Sequence, residues 1–181
     1  MITLQTERLL LYALTTEQLA MALNQPHKLA ELLGIHIVPE VFSEESRQAV
    51  MIKMARMSHI EPNLHPWYTY FLIVNVEDRE ALGVCGFKGT PTLAGSAEVG
   101  YAMHPDFRNH GYMTETVRAL VKWAFEQESC RRVTAETLRD NLASQRVLQK
   151  VGLVLDRAGE NMFYWKIDKQ PVPVAKPDNT E

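Results

Sequence analysis

At Pro105 the apolar pattern of the chain changes period. Between residues 67 and 104 the segments WYTYFLIVNVED, EALGVCGFKG and AEVGYAMHP are rich in aromatic and β-branched residues and are separated by turn residues. They read as three consecutive antiparallel strands. Beyond Pro105, Val117, Leu120, Val121, Ala124 and Phe125 follow the i, i+3, i+4, i+7, i+8 spacing of an amphipathic helix, predicted from about Tyr112 to Glu128. RRVTAETL then reads as a strand. NLASQRVLQKVG reads as a helix capped by Asp140 or Asn141 and ended by Gly152, and MFYWKID as the last strand. Upstream, TERLLLYAL predicts a strand, and Thr15 or Thr16 caps a helix from about Glu17. Residues 43–60 open with a Ser cap and an acidic first turn, carry Val50, Met54 and Met57 at helical spacing, and predict another helix that stops before Pro62.

The 181 residues suffice for one domain with a proper core. The stretch KQPVPVAKPDNTE holds three of the nine prolines and little to bury, so the domain is expected to span 1–168, with 169–181 a disordered Pro-rich tail. A formal net charge of -3 offers no broad electropositive face, which disfavours a nucleic-acid partner. No apolar run approaches the roughly 20 residues that span a bilayer, and Glu7 stands where a leader would be basic. The expectation is a cytoplasmic, unprocessed protein without a membrane partner. Cys85 and Cys130 are too few and too far apart for a disulfide framework or a metal site.

Chemistry concentrates in PDFRNHGYMTE, residues 105–115, between a strand and the long helix. The first N–H groups of a helix lack partners and, with the helix dipole, make an anion site. Gly111 allows close backbone approach there, and Arg108 adds charge beside the turn. An ordinary strand-to-helix turn can carry the same two residues. The common nucleotide signatures are absent: there is no GxxxxGK(S/T), and Gly83, Gly86 and Gly89 do not make GxGxxG. In AEVGYAM, Glu98 shares a strand face with the small Gly100 and Ala102; this suits either a ligand-facing carboxylate or a solvated edge residue. Asn141 and Ser144 lie three apart at a helix start, which by itself needs no more than a cap. Met51, Met54 and Met57 read as core, and His59, His65, Trp67, Tyr68 and Tyr70 as packing or a substrate wall without metal-ligand spacing. Cys85, on an apolar strand with no base beside it, is excluded as a catalytic thiol.

The run Arg108-Asn109-His110-Gly111-Tyr112-Met113 resembles the fingerprint of the GNAT superfamily of acyl-CoA-dependent N-acyltransferases: Gln or Arg, two residues, Gly, one residue, then Gly or Ala. It fits at Arg108 and Gly111 and departs at Met113. TERLLLYALTTEQL, AEVGYAMHP and the segment Asn141–Leu153 strengthen the likeness, and together they resemble the RimJ/RimL-like branch of ribosomal-protein N-acetyltransferases over about residues 2–168. The resemblance implies an α+β fold with a mixed, mainly antiparallel sheet of six or seven strands and helices on both faces. Acetyl-CoA is implied in a V-shaped gap between the fourth and fifth strands of this count. Its pyrophosphate would lie on the amides of Arg108, Asn109, His110, Gly111, Tyr112, Met113 and Thr114. The resemblance also implies Glu98 as general base, directly or through water. Where many relatives carry a Tyr as acid for the thiolate this chain has Leu148, so Ser144 becomes the acid or thiolate stabiliser, and Asn141 holds the pantetheine or the splayed strand. A backbone N–H near Met103 is the expected oxyanion donor. The implied activity is direct, metal-free acetyl transfer to a primary amine, a protein N-terminus or a small molecule, by a monomer or homodimer. Met113 and the missing Tyr support a second reading, a non-catalytic acyl-CoA-binding module.

Overall fold

The computed structural model describes residues 2–42 and 44–170. One eight-stranded sheet organises them, with strands β1 (Thr3–Gln5), β2 (Leu9–Ala13), β3 (Phe71–Asn75), β4 (Ala81–Phe87), β5 (Ser96–Met103), β6 (Arg132–Leu138), β7 (Val154–Ala158) and β8 (Met162–Asp168) in the order β1-β2-β3-β4-β5-β6-β8-β7. Every neighbouring pair is antiparallel except β5 with β6, which is parallel. The α+β class and the mainly antiparallel sheet are as expected, but the sheet has more strands than the six or seven anticipated. β1 has only three residues to read, and every residue of β7 is exposed, so neither shows the alternation that marks a half-buried strand.

Among the described residues five α-helices flank the sheet: α1 (Thr16–Asn24), α2 (Pro26–Leu33), α3 (Glu44–Met57), α4 (Tyr112–Glu126) and α5 (Leu142–Val151). Thr15 caps α1 in a capping box with Gln18, and Asn141 caps α5, which ends at Gly152 in the left-handed conformation, φ 106°. Helix α2 was not anticipated: Pro26 is its first residue, two residues after α1 ends, and reads equally well as a stop. The Ser43 cap falls outside the described residues, as do residues 171–181, which make up most of the expected tail.

The two faces carry two cores. On one, α4 presents Val117, Leu120, Val121 and Ala124, and α5 presents Leu148, to Leu9, Leu11, Phe71, Ile73, Phe87, Ala97, Val99 and Val133. Trp123 closes that core against Trp67, with ring centroids 4.6 Å apart, and Phe87 at 5.8 Å. On the other, α1, α2 and α3 bring Leu19, Ala22, Leu29, Val50 and Met57 onto Leu72, Val74, Ala81 and Val84. Of the three methionines read as core, Met57 is buried, whereas Met51 is 62% exposed. No helix among the described residues is long and apolar enough to cross a membrane.

Candidate active site

Strands β5 and β6 pair only at Ser96–Arg132, Ala97–Val133 and Glu98–Thr134, and then part. The N–H of Lys88 donates to Glu98 O at 2.9 Å and that of His104 to Leu82 O at 2.9 Å, so even-numbered backbone groups of β5 face β4. Ala97 O instead accepts from Thr134 Oγ1 at 3.4 Å, on the β6 side. The Glu98–Thr134 pairing takes the N–H of Val99; beyond it Val99 C=O and the peptide groups of Tyr101 and Met103 turn into the gap, where β6 no longer pairs with them. Apart from Met103 O, which accepts from Arg108 Nε, these peptide donors and acceptors are presented to anything extended that enters. Beside Gly100 the space is open: a Cβ there would meet nothing within 4 Å.

One end of the gap meets the N-terminus of α4. Gly111 caps that helix at φ 82°, and Asn109 is also left-handed at φ 66°. Arg108 is folded back, its Nε donating to Met103 O at 3.3 Å. His110 lies stacked on Tyr112 at 5.7 Å, its Nδ1 within 2.8 Å of Arg108 O. Met113 is only 8% exposed and packs in the core, so its thioether leaves the turn clear and only its backbone amide faces outward. Arg8 was not singled out in the sequence. Its guanidinium donates to His110 O at 3.1 Å, lies 4.6 Å from the centroid of the Tyr112 ring, and pairs with Glu115 at 2.7 Å. Beside this turn opens a cleft of about 770 Å³, lined by Gly111, Thr114, Arg8, Arg118, Lys122 and Lys150 among others. Glu7 and Glu115 line the cleft as well, Arg8 is paired with Glu115 and Arg118 donates to Lys150 O, so Lys122 and Lys150 along the helix add most of the charge that favours a phosphate.

On the α4–α5 side, Asn141 Oδ1 accepts from Ser144 N at 3.0 Å, and Tyr101 donates its hydroxyl to Ser144 O at 3.3 Å. Ser144 is half-buried in the first turn of α5. Burial pushes the Tyr101 phenol up to about 12, with its hydrogen bond to Ser144 acting in the opposite direction, so at neutral pH it is a donor and keeps its proton. No pattern in the sequence showed that α5 would lie over Tyr101. Leu148 is fully buried. Cys85 is fully buried too, and burial pushes its thiol far up, out of nucleophilic range.

Glu98 lies on the opposite face, where α1–α3 cover β2–β4 and leave β5 and β6 bare. Ala102 is exposed. Glu98 is ion-paired with Lys88, whose Nζ lies 3.7 Å from Glu136 on β6. Lys53 of α3 reaches under the same region and donates to Tyr68 O at 3.0 Å and Phe87 O at 2.6 Å, its ammonium 4.6 Å from the Tyr70 ring centroid. Burial first, and Arg56 next, lower the Lys53 ammonium to about 8. The aromatic cluster expected near 59–70 divides. Trp67 is core, whereas His65 ties Met57 and Ile60 through its Nε2, 3.1 and 3.0 Å from their carbonyls. Among the described residues no group of three or more His, Cys, Asp and Glu is gathered to hold a metal.

A family model described as an acetyltransferase (GNAT) domain matches residues 8–154. The chain is 30% identical over 165 residues to YjdG of Bacillus subtilis (strain 168), named as an uncharacterized N-acetyltransferase, with 91% of this chain and 97% of that one covered. In solved structures the fold resembles RimL, the ribosomal L7/L12 α-N-protein acetyltransferase in complex with coenzyme A, with TM-score 0.65, 19% identity, and 92% and 98% of the two chains covered. It also resembles the ribosomal-protein-S5-alanine acetyltransferase from Vibrio fischeri, with TM-score 0.63, 17% identity, and 93% and 97% covered. A fingerprint turn at the head of α4, a parallel pair that parts beside it, and a family match over most of the length lead to one conclusion: the chain belongs to the GNAT family of acetyltransferases.

Proposed function

We propose that this chain, as a RimJ/RimL-like N-acetyltransferase, moves an acetyl group from acetyl-CoA directly to a primary amine, either the α-amino group of a protein N-terminus or a small-molecule amine. The observation that carries the reading is the β5–β6 gap, which has an anion-binding helix end at its Met103 end and a carboxylate at its Glu98 end. The pyrophosphate takes the amides of residues 108–114 other than that of Arg108, which donates to Pro105 O at 3.2 Å, with the Arg108 and Arg8 side chains beside them, and the pantetheine runs along the peptide groups of Tyr101 and the N–H of Met103. Asn141, through its cap on α5, positions Ser144.

The thioester is reached from two sides of the sheet. Glu98 receives the amine proton, directly or through water, on the α1–α3 face; Ser144 faces the departing sulfur on the α4–α5 face. Met103 stands about 17 Å from Glu98 at the usual strand rise, too far to serve the same carbonyl. The oxyanion donor is therefore assigned to the N–H of Tyr101, the first beyond the β6 pairing, and Met103 to the cofactor arm. An α-amino group near pKa 8 is about a tenth neutral at pH 7, whereas a lysine near 10.4 is below about a tenth of a percent, so an α-amino acceptor asks little of the base. Residues 1–168 form the catalytic domain, and the two buried free cysteines suit a reducing, cytoplasmic setting.

The test is to incubate the chain with acetyl-CoA and a panel of N-terminal peptides, amino acids, polyamines and aminoglycosides, and to follow free thiol. Thiol release dependent on an amine is expected. Acetyl-CoA binding without turnover on any amine would leave only a binding module.

A further inference from the structure

The mouth of the gap on the α1–α3 face already holds a primary amine of the chain itself. Lys88 follows the last residue of β4, and side-chain alternation sends it to the same face as Glu98 and Glu136. Its ammonium pairs with Glu98 Oε1 on β5 and stands 3.7 Å from Glu136 Oε2 on β6. It therefore bridges the two strands close to where their pairing ends, at Glu98 and Thr134. The Lys88 side chain is 57% exposed, and the strand face next to Glu98, at Gly100, is open. Lys53, the other lysine of this region, has its Nζ committed to two backbone carbonyls.

We propose that Lys88 is a self-acetylation site. The inference rests on the reading that acetyl-CoA lies in the gap with Glu98 as base. When no acceptor is present, Glu98 takes one proton from the Lys88 ammonium, and the freed Nζ lone pair forms a bond to the thioester carbonyl carbon. The adduct collapses with breakage of the C–S bond. A second amine proton passes to the departing thiolate, and Glu98 returns its proton to solvent. The products are Nε-acetyl-Lys88, the CoA thiol and one proton. Tethering supplies the reason this lysine reacts before others: nucleophile and base are held together in the fold, so no encounter has to be arranged. Acetylation also removes the positive charge between Glu98 and Glu136 and leaves both carboxylates to an incoming acceptor ammonium. Lys88 and the acceptor thus compete for one place.

The full chain, incubated with acetyl-CoA and no added amine, is to be followed by intact mass and peptide mapping, with acetyl-CoA binding measured by calorimetry on the same preparation. One acetyl group per chain is expected, on Lys88, at a rate that rises with pH. Lys88→Arg keeps the ion pair and loses the label. Glu98→Gln slows labelling about tenfold or more. The proposal is overturned if acetyl-CoA binds and Lys88 stays unmodified, or if Lys88 is labelled no faster than exposed lysines of the heat-unfolded chain. A chain that binds no acetyl-CoA removes the cofactor reading and this inference together, whereas amine-dependent turnover without Lys88 labelling removes this inference alone.

Discussion

Two hydroxyls stand near the sulfur side of the gap, and their surroundings suit them to different work. Tyr101 spends its proton on Ser144 O, a backbone carbonyl, so its hydroxyl is directed at α5 and not at the gap. On the proposed reading Ser144 is the group that meets developing charge. A hydrogen bond to a charged group contributes about 1.5–3 kcal/mol, so Ser144→Ala should lower kcat about tenfold to a hundredfold with acetyl-CoA affinity little changed. Tyr101→Phe should cost less, and the opposite order in steady-state kinetics would move the role to Tyr101. Single residues were unevenly legible. Glu98 stood out because its strand neighbours Gly100 and Ala102 are small. Glu136, Lys88 and Arg8 did not, because each gains its place from a strand or helix distant in sequence, and no local spacing announces such a contact.

The head of α4 is held by the turn between β1 and β2. Thr6 Oγ1, Arg8 N and the Arg8 guanidinium all donate to Glu115 in its first turn. Burial raises the Glu115 carboxyl, but these donors outweigh it and hold it below the usual range. A depressed carboxylate contributes stability that is complete above its unfolded value, near 4.3, and is lost as pH falls through the lower folded value. Glu115→Gln should therefore lower Tm at pH 7, with the gap to the parent closing as the pH drops below about 4, as thermal melts across pH would show. The turn itself is tested by Gly111→Ala. At φ 82° a Cβ is strained, although the space is tolerable, with Arg8 the nearest atom at 3.5 Å. Acetyl-CoA binding should weaken about tenfold in calorimetry through the displaced amides while the domain stays folded. The helix and its turn were plain in the sequence because the 3.6 period of α4 is unbroken from Met113 to Ala124. Strand β7, exposed along its length, carries no such period.

Across the whole molecule the sheet works as a partition. Helices α4 and α5 lie over one face, and α1–α3 cover β2–β4 on the other, so the parted β5 and β6 are left uncovered on the α1–α3 face. The faces are kept apart by packing. Trp123 joins α4 to Trp67, Phe71 and Phe87, and Trp123→Ala should cost about 3–5 kcal/mol in urea unfolding. The sequence showed the strands that bound the gap but not where their pairing stops, since register across a crossover is decided by the packed helix between them. An amine entering from the α1–α3 face is predicted to lose its proton to Glu98. The most direct test is the pH–rate profile of Glu98→Gln beside the parent at saturating acetyl-CoA, with a lysine-like amine and an α-amino peptide as acceptors. A fall of about 100-fold is expected for the lysine-like amine, and for the α-amino peptide a smaller loss that shrinks as pH rises. Identical profiles for the variant and the parent would contradict the account and leave proton removal to water.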